Sequence, residues 1–84
     1  MKAIVTNINK GSVYAHLNGH TFDVIEVLNS MICLSIPSPT LGKNVGVDFS
    51  FKEVFIVDLE NEFKVANSDL ALKLHKYCEL KCIK

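Results

Sequence analysis

The sequence has no arginine and no tryptophan. Its nine cationic side chains are all lysine, and nine Asp plus Glu bring the net charge to zero. Nucleic-acid binders draw on a positive field for counterion release, so a neutral, arginine-free domain argues against a nucleic-acid partner. No apolar run approaches the roughly 18 residues that cross a bilayer, so membrane insertion is not expected. The opening MKAIVTNINKG lacks an apolar h-region, which predicts no secretory signal. Cysteines are few: Cys33, Cys78 and Cys82. An odd count with two crowded near one end is not a disulfide framework, and a cytoplasmic location follows as the simpler expectation. Catalytic motifs are missing as well. There is no GxSxG and no HExxH, and the carboxylates Asp23, Glu26, Asp48 and Glu53 are scattered. The chain therefore reads as a non-enzyme.

What is present fits one small folded domain. The 84 residues leave no room for two domains. With 49% hydrophobic and 21% charged residues, disorder is excluded as a description of the whole chain. So apolar a composition is hard to bury in a lone domain of this size, which predicts a subunit interface and a homo-oligomer.

Residues 2–9 read as a strand, closed by Lys10-Gly11. Val13, Ala15 and Leu17 alternate with Tyr14 and His16, predicting a second strand over 12–17. Asn18-Gly19 then predicts a type I′ hairpin turn, because both central positions of that turn need positive φ. Residues 20–28 return, with a phase shift near Val24-Ile25 that predicts a bulge. Residues 31–36 form a short buried strand containing Cys33, and Pro37 and Pro39 predict a loop over 37–40. A turn at 41–44 leads to strands over 45–51 and 53–59, with a bend at Lys52-Glu53. Residues 62–66 predict one further short strand. The end changes period: Leu70, Leu74, Tyr77 and Cys78 recur at helical spacing, predicting a helix over 69–81 capped by Ser68. The expected fold is mainly β, a small OB-like Greek-key barrel of five to six short strands (OB or SH3-like in type) with a C-terminal helix. Residues 1–66 form the barrel, and residues 67–84 form the helix packed on it or on a partner subunit.

Against this plan, KAIVTNINKGSVYAHLNGHTFDVIEV (2–27) resembles the opening of the molbindin, or Mop, domains of the TOBE group. That family opens with a strand, an I-x-x-G-x-V turn and a hairpin; the turn here is Ile8-Asn9-Lys10-Gly11-Ser12-Val13. LGKNVGVDFSFKEVFIV (41–57) is similar to the family's closing glycine turn and two short strands. The resemblance covers about residues 2–57 and implies a cytoplasmic protein that binds molybdate or tungstate for storage, buffering or sensing, linked to molybdenum uptake. It implies a dimer or hexamer with the oxyanion held between subunits and no organic cofactor.

By the same resemblance, the oxyanion-binding residues are Ser38, Ser50 and Lys52, with Lys43 or Lys2 as further cations. Hydroxyls, backbone N–H groups and lysine are the donors that a tetrahedral dianion needs, and no direct metal ligand is required. The chain departs from the family in two places. No S-A-R-N arm precedes its first strand, and Ser50-Phe51-Lys52 reverses the family's K-x-S order. The alternative is a ligand-free interaction module of the same fold that docks on a transporter ATPase or a regulator, with Leu70, Leu74 and Tyr77 as one candidate face. Of the remaining signals, His75, Cys78 and Cys82 share a helix face at metal-like spacing without an evident fourth ligand, and read as packing. His16 and His20 read as hairpin-tip surface residues. Asp58, Glu60 and Glu62 read as a solvated turn. Tyr14, Phe22 and Phe49 would be the stacking residues of an OB-type single-strand binder.

Overall fold

The computed structural model describes residues 1–82. Five strands form one antiparallel sheet in the order β4-β3-β2-β1-β5. They are β1 (Lys2–Val5), β2 (Thr21–Val27), β3 (Met31–Ser38), β4 (Lys43–Ser50) and β5 (Val54–Val57). Helices α1 (Leu59–Val65) and α2 (Ser68–Lys81) follow. β1 to β4 succeed one another in sheet order, and β5 then returns to lie beside β1, which is the Greek-key return. The fold is mainly β with C-terminal helices, consistent with a small OB-like domain.

Alternation decides which face of each strand is buried. Ala3 and Val5 on β1, Ile32, Leu34 and Ile36 on β3, Phe49 on β4 and Val54 and Ile56 on β5 all point into one core. β2 enters with Phe22 and Val24 packed against that core and leaves with Val27 buried. The change of phase occurs at a bulge between Val24 and Glu26, where the sequence places it. The bulge turns Ile25 outward, 58% exposed. The bend at 52–53 is a 3₁₀ turn, Phe51–Glu53, tied by a capping box: Ser50 Oγ accepts the Lys52 N–H and Glu53 Oε1 accepts the Ser50 N–H at 2.9 Å.

Helix α2 closes the core with Leu74 and Tyr77, both fully buried, while Leu70 and Cys78 pack at its margin. Burying each large side chain contributes about 1.5–3 kcal/mol. The barrel and the helix therefore share one core, and α2 packs on its own sheet. The last two positions of the expected 67–84 stretch lie outside the described residues.

Several local expectations are corrected. β1 ends at Val5, short of the 2–9 strand. Residues 12–17 are not a strand but successive turns ending in a 3₁₀ turn at Ala15–Leu17, with Val13 80% exposed. Short polar side chains take the backbone donors that a ladder would need: Asn9 Oδ1 accepts the Gly11 N–H and Ser12 Oγ accepts the Tyr14 N–H. Asn18-Gly19 does turn, but with Asn18 at φ −54°, ψ 131° and Gly19 at φ 85°, which is type II rather than type I′. The Asn18 side chain then bonds both the N–H and the C=O of Ile8, at 3.0 and 3.1 Å, and clamps the long β1–β2 loop.

β3 continues through Pro37 to Ser38, where a loop is expected, and the turn occupies 39–42 instead of 41–44. The Phe51 N–H bonds Ser30 O, so the odd residues of β4 face β3 and Pro37 sits at a non-bonded pair with Asn44. The N–H that proline lacks would point to the β2 side, where the β2–β3 register has already ended at Leu34. Of residues 62–66, 62–65 are helical and only Ala66, the helix cap, is extended: Phe63 packs on the core and Val65 is 81% exposed, which no strand alternation allows. Asn67, rather than Ser68, caps α2 by accepting the Leu70 N–H at 2.8 Å. Cys33 is half-buried on the outer face of the sheet rather than in the core.

Candidate functional site

The five residues expected to hold an oxyanion fall into three groups. Ser38 ends β3 and Lys43 starts β4 directly opposite it. Ser38 Oγ accepts the Leu41 N–H and its carbonyl accepts the Gly42 N–H, so Ser38 holds the hairpin turn. Ser38 also lines a recess of about 180 Å³ with Tyr14, His16 and Val47. Ser50 sits at the other end of β4, opposite Met31, and Lys52 follows in the 3₁₀ turn. The register separates the two ends by seven residues, or roughly 23 Å at 3.3 Å per residue. Lys2 lies on β1, paired with Asp23 at 3.5 Å in the open. The single chain therefore brings Ser38 to Lys43 and Ser50 to Lys52, but does not bring those pairs together.

Of the other residues singled out by the sequence, His75 and Cys78 pack, while Cys82 is exposed as the left-handed cap of α2. The His75 ring lies against Phe63 with centroids 5.0 Å apart. Cys78 is half-buried, and burial pushes its thiol pKa up. Among the described residues no group of three His, Cys, Asp or Glu is placed to hold a metal ion. No described helix is long and apolar enough to cross a membrane. Asp58 is the left-handed entry to α1 and accepts from Asn61. Tyr14 packs edge-on against Phe49, which is itself buried, so Phe49 is no stacking platform.

Three features escape the sequence reading. The first is the outer face of the sheet. Phe55 is 50% exposed and sits beside Ile4; Val57 is the next outward residue on β5. At the other end of that face, Ile25 and Cys33 lie together over Gly46. The second is the outer edge of β5. The Thr6 N–H bonds Glu53 O, so the backbone groups of the odd residues of β5 face β1 while those of Val54 and Ile56 face the free edge. There the buried Tyr77 hydroxyl accepts the Ile56 N–H at 3.0 Å and donates to Val54 O at 3.3 Å. Its ring packs edge-on against Phe51. The third is the outer edge of β4. Its even residues Asn44, Gly46, Asp48 and Ser50 turn their backbone groups outward. Among the described residues only the Ser50 N–H finds an acceptor, Glu53. Burial and a hydrogen bond to Asp48 raise the pKa of Cys33 beside this edge.

Comparison with protein-family models, with curated proteins and with solved structures returned no match.

Proposed function

We propose that this chain is a non-catalytic assembly and interaction domain that works as a homo-oligomer. The observation that carries this reading is a pair of apolar patches on the outer face of the sheet, Phe55 with Val57 and Ile25 with Cys33, in which Ile25 and Phe55 are each at least half exposed and between which the Lys2–Asp23 pair lies. Exposed apolar surface of this kind serves contacts between proteins. Among the described residues no polar or charged side chain is buried in the core besides the Tyr77 hydroxyl, which is taken up by β5. In this reading the outer face docks on protein surfaces, and a transporter ATPase or a regulator is the larger partner that the Mop resemblance suggests. Sedimentation velocity across a concentration series tests it. Self-association that Phe55→Lys or Ile25→Lys weakens is expected. A monomer at every concentration, unchanged by either variant, would overturn it.

Oxyanion binding is the second reading, and one observation favours it. Ser38 and Ser50 each accept a backbone N–H, so each hydroxyl keeps its own proton to donate. Lys43 and Lys52 are exposed beside them. Because the two pairs stand roughly 23 Å apart, a molybdate or tungstate site using both is built between copies. Isothermal titration calorimetry with molybdate, tungstate and sulfate tests this. Heat with the first two, reduced in Ser50→Ala and Lys52→Ala, is expected; no heat at millimolar anion would remove the reading.

A further inference from the structure

The sheet treats its two edges differently. Natural sheets guard an edge with lysine, proline, a bulge or a covering element, because bare backbone groups recruit another strand. β5 is four residues long and Tyr77 covers it. β4 is eight residues long, and its centre, Asn44-Val45-Gly46-Val47-Asp48, has no proline, lysine or bulge. Asn44, Gly46 and Asp48 are exposed, and among the described residues their outward N–H groups have no acceptor.

We infer that β4 is a self-pairing edge: it takes the β4 of a second copy, antiparallel about a two-fold axis at Gly46. This rests on the assembly reading above and adds to the outer face a second contact, at the sheet edge.

The register follows from three constraints. Hydrogen-bonded pairs must form between outward-facing residues, so even positions meet even positions. The Ser50 N–H is already given to Glu53, so the free stretch is 43–49, whose centre is Gly46. Like charges must not face one another, and centring on Asp48 would set two carboxylates opposite each other. With Gly46 at the axis, Asn44 of each copy faces Asp48 of the other, and its amide, which gives one N–H to Ser35 Oγ at 3.0 Å, has the second to donate to the carboxylate. Val45 faces Val47, extending the apolar inner face that Tyr14 borders. The three outward residues of each strand exchange about six backbone hydrogen bonds across the axis. A side chain at Gly46 would bring its Cβ to 3.0 Å from Cys33 Sγ, so packing within the chain itself calls for glycine at this position. The outer faces of both copies then join into one continuous sheet surface, consistent with docking there. A second copy is favoured over a foreign strand because every pairing in this register is satisfied by the chain itself.

Sedimentation equilibrium on wild type and four variants tests the inference. Asp48→Pro removes an outward N–H and no β3–β4 bond, so the monomer stays folded by circular dichroism while the dimer is lost. Asn44→Asp sets carboxylates opposite one another at two symmetric positions and raises the dimer Kd about tenfold, and Asn44→Lys lowers it by a comparable factor. Phe55→Lys weakens only the further association through the outer face and leaves the β4 dimer in place. A dimer insensitive to all three β4 changes but broken by Phe55→Lys overturns the edge pairing and keeps the assembly reading. A monomer throughout overturns both. Association with another protein's strand in place of a second copy also overturns the self-pairing.

Discussion

The two edges of one sheet are finished by different means. On β5 a single phenol oxygen stands where a neighbouring strand would be, taking one N–H and giving to one C=O. On β4 the matching groups of Asn44, Gly46 and Asp48 face solvent. The difference traces to the helix. Its period sets Leu74 and Tyr77 on one buried stripe, and the length of a tyrosine carries the hydroxyl to the strand. Among the described residues nothing supplies the same cover for β4. The 3₁₀ turn after it reaches back only one step, with Glu53 on Ser50. A small sheet can thus hold one edge closed by its own chain and leave the other free to assemble.

Removing the phenol oxygen tests the closed edge hardest. Tyr77→Phe leaves the Ile56 N–H and the Val54 C=O buried without partners and lowers stability by about 1–3 kcal/mol, read as a lower urea midpoint with unchanged slope. The same oxygen gives the fold an alkaline limit. Burial, the largest cause, raises the Tyr77 pKa above its ordinary 10.0, outweighing the Ile56 hydrogen bond that lowers it. As pH climbs, the unfolded chain releases this proton first. The stability held by neutral Tyr77 is therefore complete below about pH 10 and is lost as pH rises beyond it. Urea midpoints measured between pH 8 and 11, taken as a range about that ordinary value, fall in wild type and fall less in Tyr77→Phe. Glu53→Ala acts on the open edge instead. It breaks the capping box at a cost of about 0.5–2 kcal/mol and frees the Ser50 N–H, lengthening the stretch that can pair. Lys43→Ala has the smallest effect on folding, within about 0.5 kcal/mol. It removes the one cation at the start of β4, so turbidity after heating rises while the urea midpoint holds.

The parts of the fold legible in the sequence are those where period and chemistry agree. β2 with its bulge, the alternation of β4 and the stripe on α2 follow from side-chain spacing alone. The 12–17 segment alternates as a strand does, yet Asn9 and Ser12 capture backbone donors, and their local turns win over the ladder. Pro37 reads as a breaker because composition does not say which side of the ladder its missing N–H would face. Residues 62–66 are too few for alternation to be told from one helical turn, and the Leu59-Phe63 spacing decides for α1. For the candidate site, Ser38, Ser50, Lys43 and Lys52 are identifiable as donors, and the hairpin register then parts them into two ends. Edge exposure is legible in neither composition nor period, since it depends on which neighbour each backbone group faces.

Amide hydrogen exchange across a protein-concentration series tests the contrast between the edges most directly. The account predicts slow exchange of the Ile56 N–H at every concentration. It predicts fast exchange of the Gly46 and Asp48 N–H groups in dilute solution and protection as concentration rises. Gly46 and Asp48 exchanging fast at all concentrations, or Ile56 exchanging as fast as they do, would contradict it.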